Sequence, residues 1–282
     1  MSDERLRTWL VTGASQGLGR AFTEAVLEAG EVVVATSRKP GALDDLKAAH
    51  GNRLVPLTLD VTDRSAVLSA FADTAELTGG IDVLVNNAGY GLAGGVEEVD
   101  EQLVRDQMDV NFFGMLWAVQ GALPVMRRQG SGHIFQISSI AGITSYPNLS
   151  MYCASKWALE GMSETLAHEV EGHGIRVTLV QLGEFRTAWS ADSMVRAEPM
   201  SEYDEVLATW RHGLSGAFAD RQPGDPRRAA QVLLDVVDHD APPLRLLLGS
   251  RAAELAPRVY QERLSEWQRW NDFAKTVDHG DS

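Results

Sequence analysis

The chain has 282 residues and carries 39 acidic against 25 basic side chains, a formal net charge of −14. At ~150 residues per domain this length holds one or two domains, and a doubly wound α/β domain can fill it alone. Its 44% hydrophobic and 23% charged composition excludes a mainly disordered or collagen-like chain, and the acidic balance argues against general nucleic-acid binding or adhesion to anionic membranes. In chain order, a β-rich run at Thr8–Thr12 leads through a glycine-rich loop into a helical pattern from about Leu18 to Ala29, which Gly30 is placed to stop. Glu31–Thr36 predicts the next strand. The alternation repeats with strands at Arg53–Leu59, Ile81–Val85, His133–Ser138, Ile175–Leu182 and Leu244–Leu248, and with helical patterns near 63–78, 101–129, 151–172 and 225–239. Several strands are nearly all apolar, as in a parallel sheet covered on both faces, and repeated βα units with right-handed crossovers build a doubly wound α/β sheet. No internal repeat or low-complexity linker interrupts it.

Two segments break the rhythm. The 44 residues Gly183–Pro226, with one helix predicted near 201–215, form a connection long enough to read as a substrate lid. After Gly249, Leu255, Val259, Arg263, Trp267, Trp270 and Ala274 follow helical spacing, predicting a C-terminal helix over about 250–277 whose aromatics pack rather than bind a cofactor. Residues 1–282 are read as one domain. Cys153 is the only cysteine, so neither an intramolecular disulfide nor a cysteine metal cluster can form. The histidines show no metal spacing; His133, His168 and His173 are expected to cap or decorate surfaces. No leader is legible between Met1 and Thr8, and no apolar run approaches the ~20 residues that span a bilayer. A cytoplasmic protein without membrane or nucleic-acid partners is the expectation.

Chemistry concentrates in three places. Thr12-Gly13-Ala14-Ser15-Gln16-Gly17-Leu18-Gly19 joins a strand to a helix. Its glycines permit a tight turn and close phosphate approach, while the helix N-terminus offers free N–H groups, which favours dinucleotide binding over a plain loop. At the end of the second strand, Thr36-Ser37-Arg38-Lys39 offers two cations and a hydroxyl where an NAD-binding site places a carboxylate. NADP(H) is therefore preferred, with NAD(H) the alternative and a merely solvated strand end the bland reading. Tyr152 and Lys156, four residues apart, share one face of a predicted helix. A cation beside a phenol lowers its pKa, and a fall of ~3 units takes about 4 kcal/mol, which Lys156 and a positively charged nicotinamide ring can share. Cys153, on another face, is assigned to the core.

With these motifs the sequence resembles the short-chain dehydrogenase/reductase family. The matching residues are Thr12-Gly13-x-x-x-Gly17-x-Gly19, Asp60-Val61, Asn86-Asn87-Ala88-Gly89, Asn111, Ser138-Ser139 and Tyr152-x-x-x-Lys156, in the family's order over roughly residues 6–190. The resemblance implies a Rossmann fold in which Tyr152 is the acid/base and Ser139, 13 residues before it, binds the substrate oxygen. It implies that Lys156 holds the nicotinamide ribose and tunes Tyr152, and that Asn111 positions a water that relays protons to Lys156. Gly13, Ser15, Gln16, Gly17, Leu18, Gly19, Ser37, Arg38, Lys39, Asp60, Val61, Asn87, Ala88, Gly89, Gly183 and Thr187 are the implied cofactor contacts, with no metal. Gln181-Leu182-Gly183 departs from the family's Pro-Gly, which puts nicotinamide placement in doubt. The implied activity is hydride transfer between NADP(H) and a carbonyl or secondary alcohol, in a homodimer or homotetramer. Tyr90, Leu92, Ile140, Ile143, Tyr146 and Trp189 are candidate pocket residues for a mainly apolar substrate. A catalytically silent dinucleotide-binding sensor or scaffold on the same fold is the rival reading, disfavoured because Ser139, Tyr152 and Lys156 are all intact.

Overall fold

A computed structural model describes residues 6–186, 193–214 and 222–278. Aliphatic and β-branched runs form seven strands: β1 (Thr8–Val11), β2 (Val32–Ser37), β3 (Leu54–Thr58), β4 (Val83–Asn86), β6 (Gly132–Ser139), β7 (Ile175–Leu182) and β9 (Arg245–Leu248). They lie in the order β3-β2-β1-β4-β6-β7-β9, and every neighbouring pair is parallel. This is the doubly wound α/β sheet of a Rossmann fold, with the strand-order reversal between β1 and β4 that opens a crevice at the strands' carboxyl ends.

Alternation along each strand feeds two cores. Trp9, Val11, Val33 and Ala35 face the layer of α1 (Gly17–Glu28), α2 (Asp44–His50) and α8 (Pro226–Val237), where they meet Phe22, Leu46 and Leu233. Leu10, Val34 and Leu84 face α3 (Arg64–Thr78), α5 (Met115–Gln129) and α6 (Ser150–Val170), where they meet Phe71, Ala118 and Leu166. Truncating Phe71, which is fully buried, removes a packing unit worth roughly 3–5 kcal/mol.

The structure departs from the expected elements at several points. The single helix expected over 101–129 is three pieces: α4 (Glu101–Met108), a π-helical turn over Asp109–Gly114, and α5. Helix α2 and two three-residue strands, β5 (Gly91–Ala93) and β8 (Met194–Arg196), had no sequence signal long enough to read. β5 and β8 pair in parallel, so the long connection after β7 is stitched to the loop after β4. Helix α7, within that connection, spans Asp204–Gly213.

His133 is not a surface residue. It lies buried in β6, stacked on Phe135 at 4.1 Å between ring centroids. Thr178 Oγ1 donates to the Pro243 carbonyl at 2.8 Å, so its 2.9 Å contact with His133 Nε2 makes that nitrogen the N–H donor. His133 Nδ1 is left buried without a partner, and burial pushes the imidazole pKa down to about 3.

The C-terminal helix α9 runs Ser250–Ala274. Ala252, Ala256 and Val259 bury against Ile140 and Ile143, and Arg263 stacks over Trp157 at 4.7 Å. Beyond that the expectation of packed aromatics fails: Trp267 and Trp270 are 63% and 60% exposed, because the second half of the helix runs past the body.

Candidate active site

The glycine loop is fixed by the end of β4. Thr12 Oγ1 accepts from the backbone N–H groups of Asn87 at 2.9 Å and Ala88 at 3.0 Å. Asn87 Nδ2 donates in return to the carbonyls of Thr12 at 2.9 Å and Gly13 at 3.2 Å. This clasp leaves no room for side chains. A Cβ on Gly13, whose φ is +66°, would stand 2.9 Å from Ala88 Cα, and one on Gly19 would stand 2.3 Å from the Gly13 carbonyl oxygen. Side chains cap three other helices, through Asp63 on α3, Asp100 on α4 and Asp225 on α8, but none caps α1 at Gln16. The first-turn N–H groups around Gly17 and Leu18, beside Ser15, therefore suit a pyrophosphate. Gln16 instead donates to Ser193 Oγ at 2.9 Å, tying the loop to the residue just before β8.

Beside the loop, Ser37 Oγ accepts from the Lys39 N–H at 3.1 Å and shapes the turn that carries Arg38 and Lys39. Both cations are exposed, and neither is ion-paired among the described residues. Arg38 lies near enough to Tyr90 to oppose the rise in its phenol pKa, although burial still carries it to about 12. Asp60 Oδ1 accepts from the Thr62 N–H and Oγ1 at 3.0 and 2.8 Å, while Val61 is buried next to it. The residues present thus fit a dinucleotide: a glycine cradle, an uncapped helix and two open cations.

The reactive groups meet at the carboxyl ends of β4 and β6. Tyr152 and Lys156 lie on α6, 7% and 5% exposed, with Lys156 Nζ 5.9 Å from the centre of the Tyr152 ring. Ser139, at the end of β6, hydrogen-bonds the Tyr152 phenol and also receives the Ala141 N–H at 3.1 Å. Burial pushes Tyr152 up to about 12, with the Ser139 hydrogen bond opposing it. Burial likewise lowers Lys156 to about 8, against the pull of Glu160, and its ammonium donates to the Ile137 carbonyl at 2.8 Å. The lowering of Tyr152 expected from Lys156 is thus not supplied by the polypeptide alone, because desolvation outweighs it.

Asn111 sits in the π-turn, fully buried. Its Oδ1 receives the Tyr90 N–H at 3.0 Å, and its Nδ2 donates to the Tyr90 carbonyl at 2.9 Å and Ser155 Oγ at 3.2 Å. The extra residue of a π-turn re-aims one side chain without ending the helix, and here it aims Asn111 at the loop carrying Gly89 and at α6. Leu182, where the family has proline, is the last residue of a strand paired on both sides, and its side chain joins the core. Gly183 follows at once, its N–H on the Leu248 carbonyl at 2.9 Å. Thr187 and Trp189 lie outside the described residues.

Among the candidate pocket residues, Ile140 and Ile143 pack on α9, whereas Tyr146 touches both that cluster and the one around Tyr152. Four contributors escaped sequence reasoning. Met194 and Leu214, from the connection between β7 and α8, pack with Tyr152, Cys153 and Leu149, a contact between segments distant in sequence. Glu98 anchors that connection: its carboxylate accepts the Gly95 N–H at 2.8 Å and the Met200 N–H at 3.0 Å, and pairs with Arg211 of α7. Burial works to raise the Glu98 pKa, but these donors outweigh it and hold the carboxyl below its usual range. Glu160, one turn beyond Lys156, offered its i,i+4 spacing as a signal.

Among the described residues no helix is long and apolar enough to cross a membrane, and no group of His, Cys, Asp and Glu is arranged to hold a metal.

Comparison with known proteins agrees with this geometry. The short chain dehydrogenase family profile matches residues 7–196. Oxidoreductase BOA17 of Botryotinia fuckeliana is 37% identical over 95% of this chain and 98% of its own length. A 3-ketodihydrosphingosine reductase of Bacteroides thetaiotaomicron is 35% identical over 85% and 87%. A short-chain dehydrogenase structure from Streptomyces avermitilis superposes with a TM-score of 0.91 at 38% identity, covering 97% of this chain and all of that one. One from Burkholderia cenocepacia, solved with NADP, gives 0.73 at 27% identity over 94% and 97%. With a Rossmann sheet, a clasped glycine loop and Ser139, Tyr152 and Lys156 gathered at its carboxyl edge, the chain belongs to the short-chain dehydrogenase/reductase family of oxidoreductases.

Proposed function

We propose that the protein is an NADP(H)-dependent oxidoreductase acting between a ketone or aldehyde and the corresponding alcohol of a mainly apolar small molecule. The observation that carries this reading is the hydrogen-bonded Ser139–Tyr152 pair with Lys156 buried on the same helix face. Bound NADP(H) supplies the hydride. Tyr152, held protonated by burial, donates its phenolic proton to the carbonyl oxygen in reduction and recovers one in oxidation. Ser139 hydrogen-bonds the same oxygen and favours charge developing there. Lys156 contributes the cation beside the phenol and a donor for the ribose hydroxyls, and Asn111 orders the backbone at Tyr90 and a proton path towards Lys156.

Gly13, Ser15, Gln16, Gly17, Leu18 and Gly19 cradle the pyrophosphate in this reading. Ser37, Arg38 and Lys39 take the 2′-phosphate, Asp60 and Val61 flank the adenine, and Asn87, Ala88, Gly89, Gly183 and Thr187 line the nicotinamide half. The open Arg38 and Lys39 favour NADP(H) over NAD(H); solved neighbours include one with NADP and one with NAD, so these two cations carry the preference. Leu92, Tyr146, Met194 and Leu214 give the apolar character, and the ketosphingolipid relative acts on a substrate of that kind. The segment 183–226 acts as the substrate lid of a single domain, with 250–277 as its helical extension. A cytoplasmic homodimer or homotetramer belongs to the same reading.

A panel of ketones and alcohols graded in polarity, assayed with both cofactors, tests it. Turnover of apolar ketones with NADPH exceeding that with NADH is the expected outcome, and turnover confined to charged, highly polar compounds contradicts the substrate assignment.

A further inference from the structure

A carboxylate that none of the roles above employs lies directly behind the reactive pair. Glu160 stands four residues after Lys156 on α6, so the two share one face a turn apart. It is 8% exposed, unusual for a carboxylate unless it is paired. Ser138 Oγ donates to its Oε1 and Gln181 Nε2 donates to its Oε2 at 2.9 Å; burial raises the Glu160 carboxyl above its usual range, and these two donors together with Arg245 and Lys156 work to keep it ionised. Those donors come from the ends of β6 and β7, and Ser138 is the neighbour of Ser139. Arg245 of β9 places its Nε 3.9 Å from Oε2 and turns its other side to Glu164 at 2.8 Å. The charges facing this pocket are thus Lys156, Glu160 and Glu164 on α6 and Arg245 on β9, with Tyr152 and Cys153 the other titratable groups nearby.

We propose that Glu160 is a positioning residue for the reaction, its fixed carboxylate supplying the negative charge that keeps Lys156 an ammonium beside Tyr152. The inference rests on the Tyr152–Lys156 reading above. Burial by itself drives Lys156 towards the neutral amine, and Glu160 opposes that drift. A lysine that loses its proton can neither stabilise a phenolate nor pass a proton onward. The ties to Ser138 and Gln181 hold the carboxylate where its field reaches Lys156, while its remoteness from the substrate oxygen leaves Tyr152 and Ser139 free.

The sign is fixed by electrostatics. Removing the nearby negative charge of Glu160 lowers the pKa of Lys156, and removing a donor that keeps Glu160 ionised lowers it too. Lys39, Lys47, Lys156 and Lys275 are the chain's lysines, so side-chain ¹³C NMR of lysine-labelled protein resolves the Lys156 titration without any substrate. The wild-type midpoint is expected near 8. Glu160→Gln, which keeps the side chain's shape, is expected to lower it by about one pH unit, a tenfold change in proton affinity. Glu160→Asp, which keeps the charge but not the shape, holds it near the wild-type value. Gln181→Met, which removes the neutral donor to Oε2 and so lets Glu160 protonate more readily, lowers the midpoint in the same direction by a smaller amount, roughly 0.3 unit. A merely structural tie between strands would make Glu160→Asp the more damaging variant and leave all midpoints unmoved, and that result overturns the proposal. If thermal melts show Glu160→Gln unfolded, the Gln181→Met variant decides the matter: an unmoved Lys156 midpoint there overturns the proposal. Turnover by Tyr152→Phe is the separate check: retained activity there defeats the acid/base reading, whereas unmoved Lys156 midpoints with an inactive Tyr152→Phe defeat only the role of Glu160.

Discussion

Arg38 and Lys39 stand just after β2 as open cations, and the proposed preference for NADP(H) rests on the charge at that turn. Replacing Arg38 with Asp removes a charge-assisted donor and introduces a repulsive carboxylate. NADPH affinity is expected to fall by about tenfold or more while NADH is tolerated better, read as the ratio of dissociation constants by fluorescence titration. An unchanged ratio would count against the NADP assignment. His133 has a different consequence, in stability. Its unfolded value near ~6.5 exceeds its folded value of about 3, so the unfolded chain binds the extra proton between them. The contribution is complete above the unfolded value and drains away as pH falls through that window, at about 1.4 kcal/mol per unit. His133→Phe should flatten the acid limb of the stability curve by that slope, measured by urea unfolding at pH 4 to 7; an unaltered limb would show that other groups set it. At this scale spacing places Tyr152 and Lys156 on one helix face, whereas Ser139 is singled out by the family resemblance; the structure puts it beside the Tyr152 phenol. The burial of His133 and the Ile137 carbonyl under Lys156 did not follow, since both depend on which strand lies next to which.

The connection between β7 and α8 is held at its edges by elements too small to leave a periodic signal. Three-residue strands such as β5 and β8 cannot show alternation, so their pairing became visible only in space. The same holds for the π-turn at Asn111. The apolar pattern runs unbroken from 101 to 129, and one added residue alters hydrogen-bond register while hardly disturbing the face. Glu98 is a main anchor of this connection, and Glu98→Ala leaves the Gly95 and Met200 N–H groups without their acceptor and Arg211 with Asp204 alone. A loss of about 2 kcal/mol or more is expected, together with faster amide exchange confined to residues 194–214. Exchange rates unchanged across that segment would mean that the β5–β8 pairing and the Met194 contact suffice to hold it.

At the scale of the whole molecule, alternating strands and helices predicted the doubly wound sheet because near-continuous apolar strands have no other stable burial than between two helical layers. The exposed half of α9 was misread for the converse reason. Helical spacing of Trp267 and Trp270 reports a face, and whether a face meets the body depends on where the helix leaves it. The acidic chain also acquires a local exception, since the uncapped start of α1 with Arg38 and Lys39 concentrates positive potential at one end of a −14 protein. The sheet delivers that patch, Ser139, Tyr152 and Lys156 to the same carboxyl edge, and the account stands on their acting together in oxidoreduction. The most direct test compares wild type and Tyr152→Phe for NADPH binding and for turnover of an apolar ketone. The account predicts an unchanged dissociation constant with turnover lowered by about 10²–10⁴-fold, the range of a lost general acid; equal turnover in the two proteins would contradict it.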